Sequence, residues 1–289
     1  MEEKITVMED ALMKRLLRAS AFLLLACTVL AVALELGCVL RVRSFEPWTP
    51  KYEKIDISYL LDGRALTDAD YELLFRQTGI TKEGIDDLVA SGEPERIIKI
   101  QSSFFDGGGY SYYRFGWLMS SFDKDVGHYA YPELRDGDIV CCFSTFMSAV
   151  EIGHCAIVVD GELELLAETA DYSATFDLIN AREFFKPVAF AVLRPVTDDA
   201  TKAEAVRIAM DELYGTEYSI LAGIFEPKAR TPINKTHCSH SVWYAYERAG
   251  LDLDANGGKI VTPRDIFESR SLELICVRGI DIDSLAVRD

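Results

Sequence analysis

The feature that most constrains this chain is an apolar run from Ala19 to Leu40, 22 residues interrupted by one charge, Glu35. At about 1.5 Å per residue, a helix of this length spans roughly 30 Å, the thickness of a bilayer hydrocarbon core. The preceding segment, residues 1–18, ends in a cluster of cations, which favours a cytoplasmic amino terminus. The sequence therefore predicts a cytoplasmic tail at 1–18, a transmembrane signal anchor at 19–40, and the remaining residues outside the cytoplasm.

Three other interpretations of the apolar run stay open. A cleaved secretory signal has the same location, although its apolar centre is usually shorter. A core helix of a soluble domain has a polar face, which this run lacks. Leu24-Leu-Ala-Cys27 also resembles a lipoprotein box, although the apolar run continues well beyond Cys27, where a mature lipoprotein turns polar.

The composition is that of a globular domain and excludes several classes of function. The chain is 49% hydrophobic and 27% charged, which does not fit a disordered protein. Its formal net charge of −17 argues against a nucleic-acid partner, because phosphate binding needs clustered Lys and Arg. Gly107-Gly-Gly109 is not followed by a Lys-Ser/Thr pair or a helix start, so we predict no nucleotide cofactor.

Residues 41–131 are predicted to form a linker followed by a mainly helical region. Pro47 and Pro50 are typical of a linker. Thr67-x-x-Asp70 is a capping-box pattern and precedes apolar residues at helical spacing. A further helix is predicted from Gly92 towards an aromatic cluster at 104–115.

From Pro132 onward the pattern changes to short strands and then to helices. Strands are predicted at 139–143, 153–159, 162–167 and 188–193, with Asp160-Gly161 as a hairpin signal. Helices are predicted after Thr201-x-x-Glu204 and from near Cys238 to Gly250. Strands followed by helices indicate an α+β domain over residues 132–289.

Cys238 is the candidate nucleophile, because it lies at the predicted start of a helix. With Thr236 as the N-cap, Cys238 occupies the second helical position, where unpaired N–H groups and the helix dipole favour a thiolate. The opposing interpretation is a small core residue in one stripe with Val242 and Ala245. The cysteines at 141, 142 and 155 fall in strand-like segments and are expected to be buried packing residues or one cross-strand pair.

His154 and Glu168 are the candidate partners of that thiol. An acid among apolar neighbours needs a partner. A three-residue connection, Asp160 to Glu162, pairs His154 with Glu168 on one face, whereas a two-residue turn points Glu168 to the other face. In the first geometry, Glu168 orients the imidazole and His154 takes the thiol proton. Cys238 then attacks an acyl carbon to give a thioester, and backbone N–H groups at the helix start stabilise the oxyanion.

His237 and His240 flank Cys238 and raise the alternative of a zinc site that also includes His154. Catalytic zinc needs three convergent protein ligands. Cys238 would point away from at least one of the two flanking histidines if they share a helix face. The sequence therefore predicts no metal and no other cofactor.

The order of these motifs resembles the circularly permuted NlpC-like branch of the papain superfamily, in particular the YiiX/YaeF-like cysteine amidases and peptidases. The matching motifs are Asp136-Gly-Asp138, Gly153-His154, Glu168, Gly215-x-x-Tyr218, Cys238-Ser239, Ala249-Gly250 and Thr262-Pro-x-Asp265. The resemblance covers about residues 134–269. It implies a permuted papain-like fold, with an antiparallel sheet packed on helices, and a catalytic trio of His154, Glu168 and Cys238. The histidines at 237 and 240 and the insert before the core depart from the family's pattern.

We therefore expect a membrane-anchored cysteine amidase or peptidase that cleaves an amide bond outside the cytoplasm. The expected location suggests a small envelope peptide as substrate, such as a peptidoglycan stem peptide. One alternative is a lipid-directed N-acyl amidase or acyltransferase, with the aromatic cluster at 104–115 lining an apolar site. A second alternative is an envelope binding module that keeps the fold without catalysis.

Overall fold

The computed structural model describes residues 2–170 and 174–285, so short pieces of the predicted tail and catalytic domain, at 1, 171–173 and 286–289, lie outside the described residues. A single helix, α1 (Glu2–Ser44), contains the whole apolar run. Within its segment Leu12–Ser44, an 18-residue window has a mean hydropathy of 2.5 and is almost entirely exposed. The described chain thus has one helix that is long and apolar enough to cross a membrane.

Three short helices follow α1 and pack together. They are α2 (Asp68–Thr78), α3 (Lys82–Ala90) and α4 (Pro94–Phe105). The Thr67 hydroxyl accepts a hydrogen bond from the Asp70 N–H, and the Asp70 carboxylate accepts one from the Thr67 N–H. The predicted capping box is therefore confirmed.

The prediction that helix continues through most of the region to residue 131 is wrong beyond Phe105. Strands β1 (Tyr110–Arg114) and β2 (Met119–Lys124) form an antiparallel hairpin there. Glycines at 107–109 interrupt the helical pattern, and the Tyr and Phe residues that follow favour a pleated strand over a helix. The second half of the aromatic cluster at 104–115 therefore lies in a sheet rather than in a helix.

This hairpin belongs to a four-stranded sheet that lies against α1. The order is β1-β2-β4-β5, where β4 is Thr145–Met147 and β5 is Val150–Glu151. In the turn between β4 and β5, the Ser148 hydroxyl donates a hydrogen bond of 2.7 Å to the Leu34 carbonyl of α1. The sheet is therefore attached to the last turns of the apolar run.

The main sheet has six antiparallel strands in the order β12-β9-β3-β6-β7-β8. The strands are β3 (Ile139–Cys142), β6 (His154–Asp160), β7 (Leu165–Glu168), β8 (Asp177–Asn180), β9 (Phe190–Pro195) and β12 (Leu272–Arg278). The four predicted strands are β3, β6, β7 and β9. The chain is α+β with antiparallel sheets, as predicted.

Helices cover both faces of this sheet. Because successive residues of each strand point to opposite faces, neighbouring residues belong to two different hydrophobic cores. Val140, Cys142 and Ala156 belong to one core that includes residues of α2–α4. Cys141 and Cys155 belong to the other core, which includes α6 (Asp199–Ile208) and α7 (Cys238–Arg248). The remaining short elements are α5 (Ala181–Phe184), β10 (Glu217–Tyr218), β11 (Lys235–Thr236) and α8 (Pro263–Phe267).

The predicted start of α6 is wrong by three residues, whereas α7 begins at Cys238, as predicted, but with a different N-cap. Helix α6 begins at Asp199, because the Asp198 carboxylate accepts the N–H of Thr201 and caps the helix earlier than a Thr201 box. Thr236 does not cap α7, because its backbone pairs with Tyr218 in a two-stranded parallel sheet. His237 is the N-cap instead, and Cys238 is the first helical residue.

Candidate active site

Cys238 opens α7, which packs against β6. It is partly exposed, whereas every other cysteine outside α1 is buried. All seven cysteines lie in the described residues. Cys238 is therefore the accessible thiol of the domain that follows α1.

His154 begins β6 and Glu168 ends β7, and their side chains form a direct contact. Nε2 of the imidazole is hydrogen-bonded and ion-paired with the Glu168 carboxylate. Both side chains are largely buried, at 17% and 12% exposure. This contact leaves Nδ1 of the ring as the nitrogen available to another group.

The predicted hairpin register is wrong, although the contact is present. Ile157 pairs with Ala167, and the register shifts at a bulge before Asp160. Extending the same register places Glu168 opposite Ala156, so Glu168 is a diagonal neighbour of His154. An offset of two residues keeps both side chains on one face. The longer turn, with Glu164 in a left-handed conformation, absorbs the extra residues.

Gly153, directly before His154, allows the backbone conformation and close packing at the start of β6. Its φ of 67° lies in the left-handed region, which costs glycine little and other residues more. A Cβ at this position would lie 2.9 Å from the carbonyl oxygen of Cys142 and 2.9 Å from Pro263. Pro263 begins α8, which is capped by Thr262. Glycine therefore allows the start of β6 to pack closely against α8.

Electrostatics at Cys238 and His154 favour the charged forms of both side chains. Burial alone would raise the pKa of the Cys238 thiol, but the charge of His154 and a hydrogen bond with it, together with His237, lower that pKa to about 5. Burial alone would lower the pKa of His154, but the charges of Glu168 and Cys238 raise it well above 6.5. The arrangement therefore supports a thiolate and an imidazolium at neutral pH.

Two separate cavities are lined by residues of this trio. Cys238 lines a cavity of about 360 Å³ whose wall includes Phe143, Ile152 and Val261 and is mostly apolar. His154 and Glu168 line a second cavity, of about 310 Å³. The Cys238 sulfur is therefore reached from the first, apolar cavity.

The histidines that flank the sulfur have structures that the sequence did not predict. Nδ1 of His240 is 3.0 Å from the Thr236 hydroxyl, and its Nε2 is 2.9 Å from the Lys228 carbonyl. Burial lowers the pKa of His240 to about 4. Because both its nitrogens have partners, His240 has a structural role. Among the described residues, no group of three or more His, Cys, Asp or Glu side chains is placed to hold a metal ion.

His237 directly precedes the candidate nucleophile in the sequence, and this position is a local signal for a role at the site. Its Nδ1 accepts the backbone N–H of His240 at 3.3 Å and so caps α7. Its Nε2 is buried and has no hydrogen-bond partner among the described atoms. The sequence pattern indicates His237 only as an alternative zinc ligand, whereas in the structure it is the N-cap of α7.

The strand cysteines are buried, which agrees with one of the two predicted alternatives. Cys141 and Cys155 are directly opposite each other on β3 and β6. Their sulfurs are 3.1 Å apart, and both thiols are free. They pack in the core beneath the site.

The structure thus brings His154, Glu168 and Cys238 together at one end of the main sheet. Comparison with known proteins identifies no relative of this chain. No family model, curated protein or solved structure matches the chain.

Proposed function

We propose that the chain is a cysteine-nucleophile hydrolase with a permuted papain-like fold, cleaving an amide bond through a thioester. In this proposal, α1 is a single-pass anchor and the domain after it lies outside the cytoplasm. The observation that carries the proposal is the accessible Cys238 thiol, whose pKa is lowered to about 5 beside the His154–Glu168 ion pair. Such thiols are typical of catalytic rather than structural cysteines.

The proposed reaction has two steps that use the same three side chains. The Cys238 thiolate attacks the acyl carbon, and as the C–N bond breaks, His154 gives its proton to the leaving amine. Water then attacks the thioester while His154 takes the water's proton, and the sulfur leaves as thiolate. Glu168 orients the imidazole and stabilises its charged form throughout.

A small envelope peptide, such as a peptidoglycan stem peptide, is the first substrate class that this location suggests. A second class, an N-acyl lipid with the enzyme acting as amidase or acyltransferase, is favoured by a specific observation. The cavity beside Cys238 is mostly apolar, and such a wall fits an acyl chain better than a polar peptide.

The experiment is to trap the thioester. We expect full-length protein in lipid nanodiscs, mixed with p-nitrophenyl acetate and quenched in acid, to carry one acetyl group on Cys238 by peptide mass spectrometry. Cys238→Ser should carry none, and Cys276→Ser, a buried thiol, should behave as wild type. Absence of the acetyl group from wild type would contradict the proposal and favour a non-catalytic binding module. Release of amines from cell-wall digests or from N-acyl lipids then separates the two substrate classes.

A further inference from the structure

The contacts of α1 show where the domain lies relative to the apolar run. Glu35, the one charge within that run, forms two hydrogen bonds with Arg114 of β1, at 3.0 and 3.2 Å. The Gly37 backbone is packed against Ser148 and Ala149 of the β4–β5 turn. An acid in a membrane helix is costly unless it is paired. The Arg114 partner therefore explains how Glu35 is tolerated.

These contacts lie at the depth of the lipid if α1 spans a bilayer. A span that starts after the cations preceding Ala19 needs about 20 residues to cross the hydrocarbon core, so it ends near residue 38. Leu34, Glu35 and Gly37 then lie in the leaflet at the domain side. Trp117, in the β1–β2 turn at 115–118, is a side-chain hydrogen-bond partner of Glu35. Residues 148–149 contact Leu34 and Gly37. Both turns must therefore lie at the same level.

Exposed apolar side chains are found at these turns. Trp117 is 60% exposed and Val150 is 63% exposed. Tryptophan is enriched at the membrane interface, where its ring contacts both lipid and water. Large apolar side chains exposed on adjoining hairpins, next to an apolar helix, indicate a surface that continues the membrane contact of α1.

The same surface reaches the mouth of the Cys238 cavity. Val150, Ile220 and Ile260 line this cavity and are also exposed; we call them the apolar rim. Val150 directly follows Ala149, whose carbonyl accepts a hydrogen bond from Arg41 of α1 at 2.8 Å. The rim is therefore continuous with the part of the domain that contacts α1.

We propose that the two hairpin turns and the apolar rim dip into the outer leaflet, and that the acyl group attacked by Cys238 arrives from the lipid phase. This inference rests on the proposed function and on α1 being an anchor. It selects an acyl lipid over a soluble peptide as the substrate class. The cavity at the rim gives an acyl chain an apolar path from the leaflet to the sulfur.

The docking part is tested by bromolipid quenching of tryptophan fluorescence in nanodiscs with the full-length chain. The chain has three tryptophans, at positions 48, 117 and 243. We expect brominated lipid to quench wild type and Trp48→Phe alike, and Trp117→Phe to lose most of the quenching. Equal quenching in wild type and Trp117→Phe would overturn the proposal, because Trp117 would then lie in water.

The substrate part is tested by placing a charge on the rim. We expect Val150→Asp to slow acylation of Cys238 by an N-acyl lipid in the bilayer at least tenfold more than it slows acetylation by p-nitrophenyl acetate. Val126→Asp, at an 82% exposed valine beyond the opposite end of β2, should change neither rate. Equal effects of Val150→Asp on both donors, or no effect on either, would overturn the inference. Failure of acetylation in wild type would instead overturn the proposed function, while tryptophan quenching would still report docking.

A second, independent observation is Nε2 of His237, which has no hydrogen-bond partner among the residues that the structure describes. Because Nδ1 accepts a backbone N–H, the proton of the neutral ring lies on Nε2, which is then a donor. His237 is 5% exposed and lines the Cys238 cavity, so this donor is buried beside the nucleophile. Buried donors in native proteins are nearly always paired, and an unpaired one at a cavity indicates a missing acceptor.

The geometry points to His237 Nε2–H as a donor to the oxyanion that forms when Cys238 attacks the acyl carbon. The backbone N–H of Cys238, which has no acceptor within α7 because it is the first helical residue, is the natural second donor. His237 also helps to lower the pKa of Cys238. It therefore stabilises negative charge first on sulfur and then on oxygen.

The test separates acylation from alkylation, because alkylation by iodoacetamide forms no oxyanion. His237→Asn keeps an N-cap acceptor and removes the Nε2–H. At pH 9, where the thiol is ionised in either protein, we expect acylation by p-nitrophenyl acetate to fall about 100-fold. Alkylation should change less than about threefold. Equal losses in both reactions, or unchanged acylation, would overturn this assignment.

Discussion

His154 and His240 are both buried imidazoles close to the first turn of α7, yet their electrostatics are opposite. The charge of Glu168 raises the pKa of His154 well above 6.5 in spite of burial. His240 has a neutral hydroxyl and a carbonyl as its partners, and burial lowers its pKa to about 4. A carboxylate partner, rather than closeness to the sulfur, therefore decides which histidine can exchange a proton with the thiol.

The largest expected effect comes from removing the charged histidine. We expect His154→Ala to lower the acylation rate of Cys238 about 1000-fold, because the thiol loses both its base and its counterion. Stopped-flow release of p-nitrophenol measures this rate. His128→Ala, a half-buried histidine on the chain between β2 and β3, is the control and should match wild type. Equal rates for the two variants would remove His154 from the mechanism.

A smaller effect is expected when the imidazole stays and its partner is neutralised. Glu168→Gln should slow acylation about 100-fold and raise the pKa of the thiol, since His154 then loses the charge that keeps it protonated. Glu162→Gln, an exposed acid in the same hairpin, is the matched control. A Glu168→Gln enzyme with the wild-type rate would show that the ion pair is structural only.

The smallest effect on the acylation rate is expected from replacing His240, the histidine with the lowered pKa. His240→Ala removes two buried hydrogen bonds, which we expect to cost about 2 kcal/mol of folding free energy. In a domain of this size, the Tm should fall by roughly 4–8 °C. Acylation at 25 °C should remain within about threefold of wild type. A large loss of acylation without a change in Tm would place His240 in the mechanism and contradict the comparison.

The sequence predicted the strands that carry the site because their signals are local. β3 and β6 are short runs of branched and small residues bounded by glycine turns, and burial on both faces makes such runs continuous rather than alternating. The Thr67 capping box was also readable, because its partner lies three residues away. These elements depend little on distant parts of the chain.

The features that were predicted wrongly depend on distant partners. Thr236 is a good N-cap residue by type, but pairing with Tyr218 uses its backbone, and only the fold brings these residues together. The diagonal contact of His154 with Glu168 depends on a bulge before Asp160 that no turn signal marks. The lack of a hydrogen-bond partner for His237 Nε2 within the described part of the chain likewise follows from packing. Candidate residues were therefore easier to predict than their geometry.

The most direct test of the account is the pH dependence of Cys238 alkylation by iodoacetamide in wild type and in His154→Ala. A lowered thiol pKa means that the thiolate, and with it alkylation, persists as pH falls until about 5. We predict a wild-type midpoint near pH 5 and a midpoint at least two pH units higher in His154→Ala. A wild-type midpoint near the usual cysteine value of about 8.5, unchanged in the variant, would contradict the claim that His154 and Glu168 activate this thiol.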